Sequence, residues 1–290
     1  MLATRPMSEQ LGVEILGADL DADLDSATVR VILSALHENG AILFRDQSIT
    51  PERFERLSRH FGQAIPHVLD HLRLPGHPGI FTISNDAERP DEIRNGAAYW
   101  HTDQSYDAEP SSATMLYAIL VPNEGGEPLL ADMFGAYDAL PDATKSKIDG
   151  LTVRHHYGNR DAGQDGQHDA SPLQNDGQKA QVPPVRHPLV RPHPVTGRKA
   201  LYGVAGTSFG IVGLPDDEAR GLLDELKAHA VSPRFVHAHR HQVGNVLIWD
   251  GASTLHAGTP IAAATKAEDT RLMHRISVRG MPPLLSRSAS

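Results

Sequence analysis

The sequence predicts a mostly β protein with flanking helices, and three observations carry that prediction. Beyond residue 78 the chain is a series of short apolar runs, such as "GIFTIS", "ATMLYAIL" and "NVLIWDG", separated by Pro, Gly, Asn and Asp. The runs are not spaced by helices of βαβ length, and no G-x-G-x-x-G or P-loop is present, which excludes a doubly wound nucleotide fold. Helical patterning is confined to the N-terminal part and two later stretches.

Taken in order, "LGVEILGADL" reads as a short strand ending in turn residues. A helix follows from Ser26, as cap, to His37, with Val29, Ile32, Leu33 and Leu36 on one face. "AILFRDQ" is a buried strand, and "TPERFERLSRHFG" is a helix capped by Thr50, with Pro51 in its first turn and Gly62 as its stop. The later strands are "GIFTIS", "ATMLYAIL", "PLLAD", "LTVRHHY", "KALYGV", "RFVHAHRH", "NVLIWDG" and "LMHRISVRG". Helices at 134–148 and 215–230 decorate this β core. The polar stretch 158–184, rich in Gly, Asp and Gln, is expected to be a flexible active-site lid. No repeat or change of composition marks a boundary, so residues 1–290 are expected to form one domain.

Composition removes several function classes. The apolar fraction of 40 % and charged fraction of 22 % are those of a globular protein. A net charge of -9 argues against nucleic acid or an anionic membrane surface as partner. No apolar run is long enough to span a membrane, and "MLATRPMSEQLG" has no apolar h-region, so a cytoplasmic location is expected. The absence of cysteine excludes disulfides, zinc–thiolate sites, iron–sulfur clusters and thiol catalysis. Histidine, at 17 residues, is the unusual entry.

In "YWHTDQSY", His101 and Asp103 stand two residues apart. About one His-x-Asp is expected by chance in such a chain, so the pair needs support from elsewhere. On a strand of period 2 both side chains would leave one face, as two adjacent ligands of a metal require. His256, in the small-residue stretch "WDGASTLHAG", is the best third ligand. Two histidines and one carboxylate leave open positions on iron, the arrangement of non-haem iron(II) oxygenases. In "RLMHRISVRG", Arg271 and Arg275 would share one strand face. Buried arginines need anions, and a guanidinium fork suits a carboxylate.

These residues, with "AILFRDQSITPERFERLSRHFG", "GGEPLLADMFGAYDALP", "HPVTGRKALY" and "GNVLIWDGASTLH", make the chain resemble the taurine dioxygenase and chlorophenoxyacetate dioxygenase (TauD/TfdA) family over nearly its whole length. The resemblance implies a double-stranded β-helix (jelly roll) and an enzyme that uses Fe(II), 2-oxoglutarate and O₂. It implies that His101, Asp103 and His256 ligate iron, and that Arg271 binds the distal carboxylate of 2-oxoglutarate. It implies a small anionic substrate, with Arg275, His67, Asp70 and Gln104 as substrate-binding residues, and a homo-oligomer. The family reaction is oxidation of a C–H bond with release of succinate and CO₂; hydroxylation, desaturation and epoxidation stay open. Departures are visible. Pro128 stands where the family usually has a threonine that helps hold 2-oxoglutarate. Gly251 and Ala257 replace an asparagine and an arginine, and Ala97 replaces a taurine-contacting residue, so taurine itself is not expected.

Two alternatives from other classes remain at this point. One is a metal-binding jelly roll without turnover, and the other a zinc hydrolase at the same His-Asp-His site. His237, His239 and His241 share a strand face and are expected to be solvated rather than a second metal site. His155 and His156 point to opposite faces and cannot ligate one ion together. Trp249 is expected in the core, where it could also wall a pocket.

Overall fold

A computed structural model describes residues 2–66, 70–157 and 183–286. Position 67 and most of the expected lid, 158–182, lie outside the described residues. In chain order the strands are β1 (Ala3–Pro6), β2 (Val13–Leu16), β3 (Ala41–Phe44), β4 (Gln63–Ala64), β5 (Arg73–Leu74) and β6 (His77–Ser84). Next come β7 (Ala113–Leu120), β8 (Pro128–Asp132), β9 (Thr152–His155), β10 (Val185–Pro188), β11 (Val190–Pro192) and β12 (Lys199–Leu201). The series ends with β13 (Ser208–Ile211), β14 (Val236–Ala238), β15 (Val246–Asp250), β16 (Thr254–Gly258) and β17 (Leu272–Arg279). The expected mostly β architecture with flanking helices is what the chain adopts.

A large sheet runs β1-β2-β3-β15-β7-β17-β6-β5, with β4 added beside β17. A smaller sheet of three strands runs β14-β8-β16. Leu130 of β8 shares one core cluster with Leu43, Leu116, Leu247, Trp249 and Met273 of the large sheet, so the two sheets meet across an apolar layer. The inner strand β15 is buried at every position, as its unbroken "VLIWD" requires.

Helices cover the outer faces. Helix α1 (Ser26–Asn39) lays Val29, Ile32, Leu33 and Leu36 against Ile42, Phe44 and Ile248, the face its 3.6-residue spacing predicts. Each such aliphatic side chain contributes about 1.5–3 kcal/mol on burial. Its cap is Asp25 rather than Ser26, because the Asp25 carboxylate accepts the Thr28 N–H at 2.7 Å. Helix α2 (Pro51–Ser58) has the expected Thr50 cap and first-turn proline but ends before Gly62. Short α3 (Asp91–Arg94) lies beside the site described below. The single helix expected at 134–148 is two, α4 (Met133–Asp138) and α5 (Asp142–Ile148). Pro141 stands between them and cannot continue α4. Helix α6 (Asp216–Ala230) matches expectation. No helix among the described residues is long and apolar enough to cross a membrane.

One buried polar knot fixes the turn between β15 and β16. Asp250 Oδ2 meets His37 Nδ1 at 2.8 Å and His193 Nε2 at 3.1 Å, while its Oδ1 accepts the Ala252 and Ser253 amides. His193 Nδ1 accepts the Val195 and Thr196 amides, so its Nε2 carries the proton and donates to Asp250. These donors outweigh burial and hold the Asp250 carboxyl far below the usual carboxylate range. Although the three side chains could reach one ion, the committed His193 nitrogens make this a structural knot. It ties α1 and the β11–β12 hairpin to the turn that launches His256.

Candidate active site

His101, Asp103 and His256 converge, their ligand atoms all within 4.8 Å of one another. The route differs from a shared strand face. His101 makes only an isolated bridge to His256, and the chain then turns at Asp103 and Gln104, where Gln104 has φ 49°. Backbone bonds between His101 and His256, 2.8 and 2.9 Å, bring the His101–Asp103 segment against β16.

The donor set fits a metal ion. His101 Nδ1 meets the Tyr99 carbonyl at 2.8 Å, and a carbonyl only accepts, so Nδ1 carries the hydrogen. That leaves a lone pair on His101 Nε2, which faces Asp103 Oδ1 at 3.7 Å. His256 Nε2 lies 3.5 Å from Asp103 Oδ2. Burial and the nearby His256 hold the His101 imidazole down at about 3, the neutral form that binds metals. Burial opposes ionisation of Asp103, yet Arg275, with the two histidines, keeps its carboxyl well below the usual range. The free lone pair of His101 Nε2 faces the Asp103 carboxylate, with His256 Nε2 on its other oxygen and His256 Nδ1 without a partner. A cation with bonds of about 2.0–2.2 Å relieves this arrangement.

The carboxylate is also held from behind. Arg275 Nη2 donates to Asp103 Oδ1 at 2.6 Å, and Thr114 Oγ1 donates to Oδ2 at 2.6 Å. Each oxygen keeps a second lone pair for a metal. Arg275 therefore braces the Asp103 carboxylate as well as facing the cavity, a contact the sequence did not reveal. Thr114, Ser277 and the Tyr99 carbonyl were equally invisible as parts of the site.

A cavity of about 210 Å³ opens beside the three residues. Tyr99, Tyr106, Tyr157, Trp249 and Phe81 line it, with Leu72, Ile83, Leu116 and Met273. Arg271 is 7 % exposed and reaches the same cavity. Its Nη2 donates to the Arg94 carbonyl at 3.1 Å and its Nε has no partner. Burial and neighbouring Arg89 lower it to about 10, so it remains charged at neutral pH. Gly126 makes room for it, since a Cβ there would lie 2.7 Å from Arg271 Nη1.

The remaining expected residues divide. Gln104 lines the cavity, and its Oε1 is buried without a partner. Asp70 does not belong with them: it is exposed on a 3₁₀ turn, and only Leu72 from that turn reaches the cavity. His67 lies outside the described residues. Pro128 lines the cavity and offers neither hydroxyl nor N–H. Trp249 is both core and cavity wall, as its apolar body allows.

The expected solvated face at His237, His239 and His241 is wrong. His239 and His241 are only 3 % and 5 % exposed, because β14 pairs with β8, setting His237 opposite Leu130 and turning this edge inward. Burial, with His239 and Arg271 nearby, holds His241 at about 3. The three do not converge on one point among the described residues. His155 is buried while His156 is half-buried, consistent with opposite faces, and His155 reaches the cavity only through Thr207, at 3.0 Å.

Comparison with known proteins agrees with this geometry. Residues 3–277 match the profile of the "Taurine catabolism dioxygenase TauD, TfdA family". The chain is 31 % identical over 272 residues to the alpha-ketoglutarate-dependent 2,4-dichlorophenoxyacetate dioxygenase of Cupriavidus pinatubonensis, covering 89 % of this chain and 92 % of the relative. It is 30 % identical over 284 residues to the (S)-phenoxypropionate/alpha-ketoglutarate-dioxygenase of Sphingobium herbicidovorans, covering 96 % and 94 %. The crystal structure of AAD-2 in complex with Mn(II) and N-oxalylglycine superposes with a TM-score of 0.80 at 30 % identity, over 98 % of this chain and 99 % of that one. The chain therefore belongs to the TauD/TfdA family of iron(II)- and 2-oxoglutarate-dependent dioxygenases, and it is an oxidoreductase.

Proposed function

We propose that the enzyme hydroxylates a C–H bond of a small carboxylic acid with an apolar, aromatic body. The observation that carries this reading is one cavity with a His-Asp-His cluster, a buried arginine without an acidic partner among the described residues, and a wall of aromatic side chains. Iron(II) held by His101, Asp103 and His256 supplies, with 2-oxoglutarate and O₂, the oxidation of C–H to C–OH, while succinate and CO₂ are released. The relatives above are named for phenoxy acids, which supports an aryl carboxylate as substrate class. All are dioxygenases, which gives the non-catalytic and hydrolytic alternatives no support. We read the two facing sheets as a double-stranded β-helix.

The protein's own residues supply placement. His101 is fixed in its ligating tautomer by Tyr99, and Asp103 is fixed by Arg275 and Thr114. Arg271, buried beside the cavity, receives the distal carboxylate of 2-oxoglutarate. Arg275 and Gln104 face the substrate, the first with guanidinium hydrogens beyond those given to Asp103 and Ser277. Tyr106 and Tyr157, edge to face at 4.6 Å, close one wall against water.

Aerobic incubation of the iron-loaded enzyme with 2-oxoglutarate and a panel of aryloxy- and arylalkanoic acids tests the reading. One acid should be oxidised in step with succinate formation. Absence of coupled oxidation across the whole panel contradicts the proposed substrate class.

A further inference from the structure

Among the described residues, four arginines, at 89, 94, 271 and 275, reach the cavity. Two are neutralised: Arg275 by Asp103 at 2.6 Å and Arg94 by Asp91 at 2.9 Å. Arg89 and Arg271 have no carboxylate within 4.0 Å among the described residues. They also repel one another, and this repulsion adds to burial in lowering Arg271. Two cations sharing a partly dry cavity need an anion between or beside them.

Arg89 is placed by local structure. Asn85, 1 % exposed, closes β6 against the start of β17. Its Oδ1 accepts the Arg271 amide at 2.7 Å, and its Nδ2 donates to the Ala262 and Asp269 carbonyls. The chain then turns: the Asp86 carboxylate accepts the Glu88 amide, and the Asp86 carbonyl accepts the Arg89 amide. This turn sends Arg89 back along β6, where its Nη1 donates to the Thr82 carbonyl at 2.9 Å. Asn85 thus fixes the backbone of one arginine and the root of the turn that carries the other. Pro128, also in the cavity wall, adds no donor.

We propose that Arg89 joins Arg271 in a two-guanidinium clamp on the distal carboxylate of 2-oxoglutarate. A carboxylate has about four lone-pair positions, enough for two forks approaching from different sides. The inference rests on the reading of Arg271 given above, and adds a residue whose sequence context, "NDAERP", gave no sign of it.

The test is calorimetric titration of the Mn(II)-loaded protein, without turnover. Three ligands are used: 2-oxoglutarate; 2-oxovalerate, which keeps the keto-acid end but lacks the distal carboxylate; and an aryloxyacetate added at saturating 2-oxoglutarate. Arg89→Met should weaken 2-oxoglutarate about tenfold or more and leave 2-oxovalerate within about twofold. Arg89→Lys should recover part of the loss. Unchanged 2-oxoglutarate affinity in Arg89→Met, equal weakening of both keto acids, or a loss confined to the aryloxyacetate would each overturn the clamp. Arg271→Met provides the separate control: if it spares 2-oxoglutarate, the cosubstrate assignment of Arg271 fails independently of Arg89.

Discussion

Replacing Thr114 by Val should weaken metal binding while leaving the fold in place. Thr114 is 1 % exposed, and its hydroxyl donates to Asp103 Oδ2 at 2.6 Å. Valine keeps the β-branched shape and removes only the donor. The same hydroxyl contacts Ser277 Oγ at 3.0 Å and Ser111 Oγ at 3.4 Å, and both of those groups retain other partners. What is lost is a buried, charge-assisted hydrogen bond, worth about 1.5–3 kcal/mol in such a setting. Because Asp103 is then free to rotate about its remaining bond to Arg275, the loss should fall on the ligand geometry. Supporting residues of this kind typically change metal affinity by about 10–100-fold, which is about 1.4–2.7 kcal/mol. Competition titration of Fe(II) or Mn(II) under anaerobic conditions reads this directly, with the urea midpoint as the fold control. Unchanged or tighter metal binding in a folded Thr114→Val protein would refute the bracing role.

Other outcomes follow from the same physics. Gly126→Ala places a Cβ 2.7 Å from Arg271 Nη1 at a residue with φ +76°, so it should cost about 1–2 kcal/mol of stability and weaken 2-oxoglutarate binding in calorimetry. Asp250→Asn leaves the His37–His193 knot without its charge and should lower unfolding free energy by about 3–5 kcal/mol, read from urea melts. Metal-free protein should lose stability as pH falls from about 6.5 towards 4. His155, His239 and His241 sit at about 3, 4 and 3 when folded, below the ordinary histidine value, so the unfolded chain takes up their protons first. Each contributes up to about 1.4 kcal/mol per pH unit in that window. His239→Leu should flatten the slope of the urea midpoint against pH, and an unchanged slope would contradict the assignment.

Local patterning made the β architecture and most elements legible. "NVLIWDG" reads as a strand and supplies the fully buried β15, and α1 buries the four aliphatics its spacing marks. Boundaries were lost where a neighbour competes: Asp25 takes the cap from Ser26, and Pro141 divides one expected helix into two. The three candidate metal residues were visible through motif and resemblance, although the strand-period reason was wrong, because Asp103 sits on a turn. Residues that brace them were hidden by distance along the chain. Thr114 lies 11 positions from Asp103, and Arg275 lies 172 away. Only folding brings these groups to one carboxylate. The histidines at 237–241 failed for a similar reason, since their burial depends on pairing with β8, about 107 positions earlier.

The central claim is that His101, Asp103 and His256 hold an iron(II) which 2-oxoglutarate chelates in the adjoining cavity. Anaerobic titration of the Fe(II)-loaded protein with 2-oxoglutarate, followed by visible absorption, tests it most directly. The account predicts a charge-transfer band that saturates with 2-oxoglutarate, is absent with Zn(II), and is lost in His256→Ala. Tight Fe(II) binding with no band at any concentration of 2-oxoglutarate would contradict it.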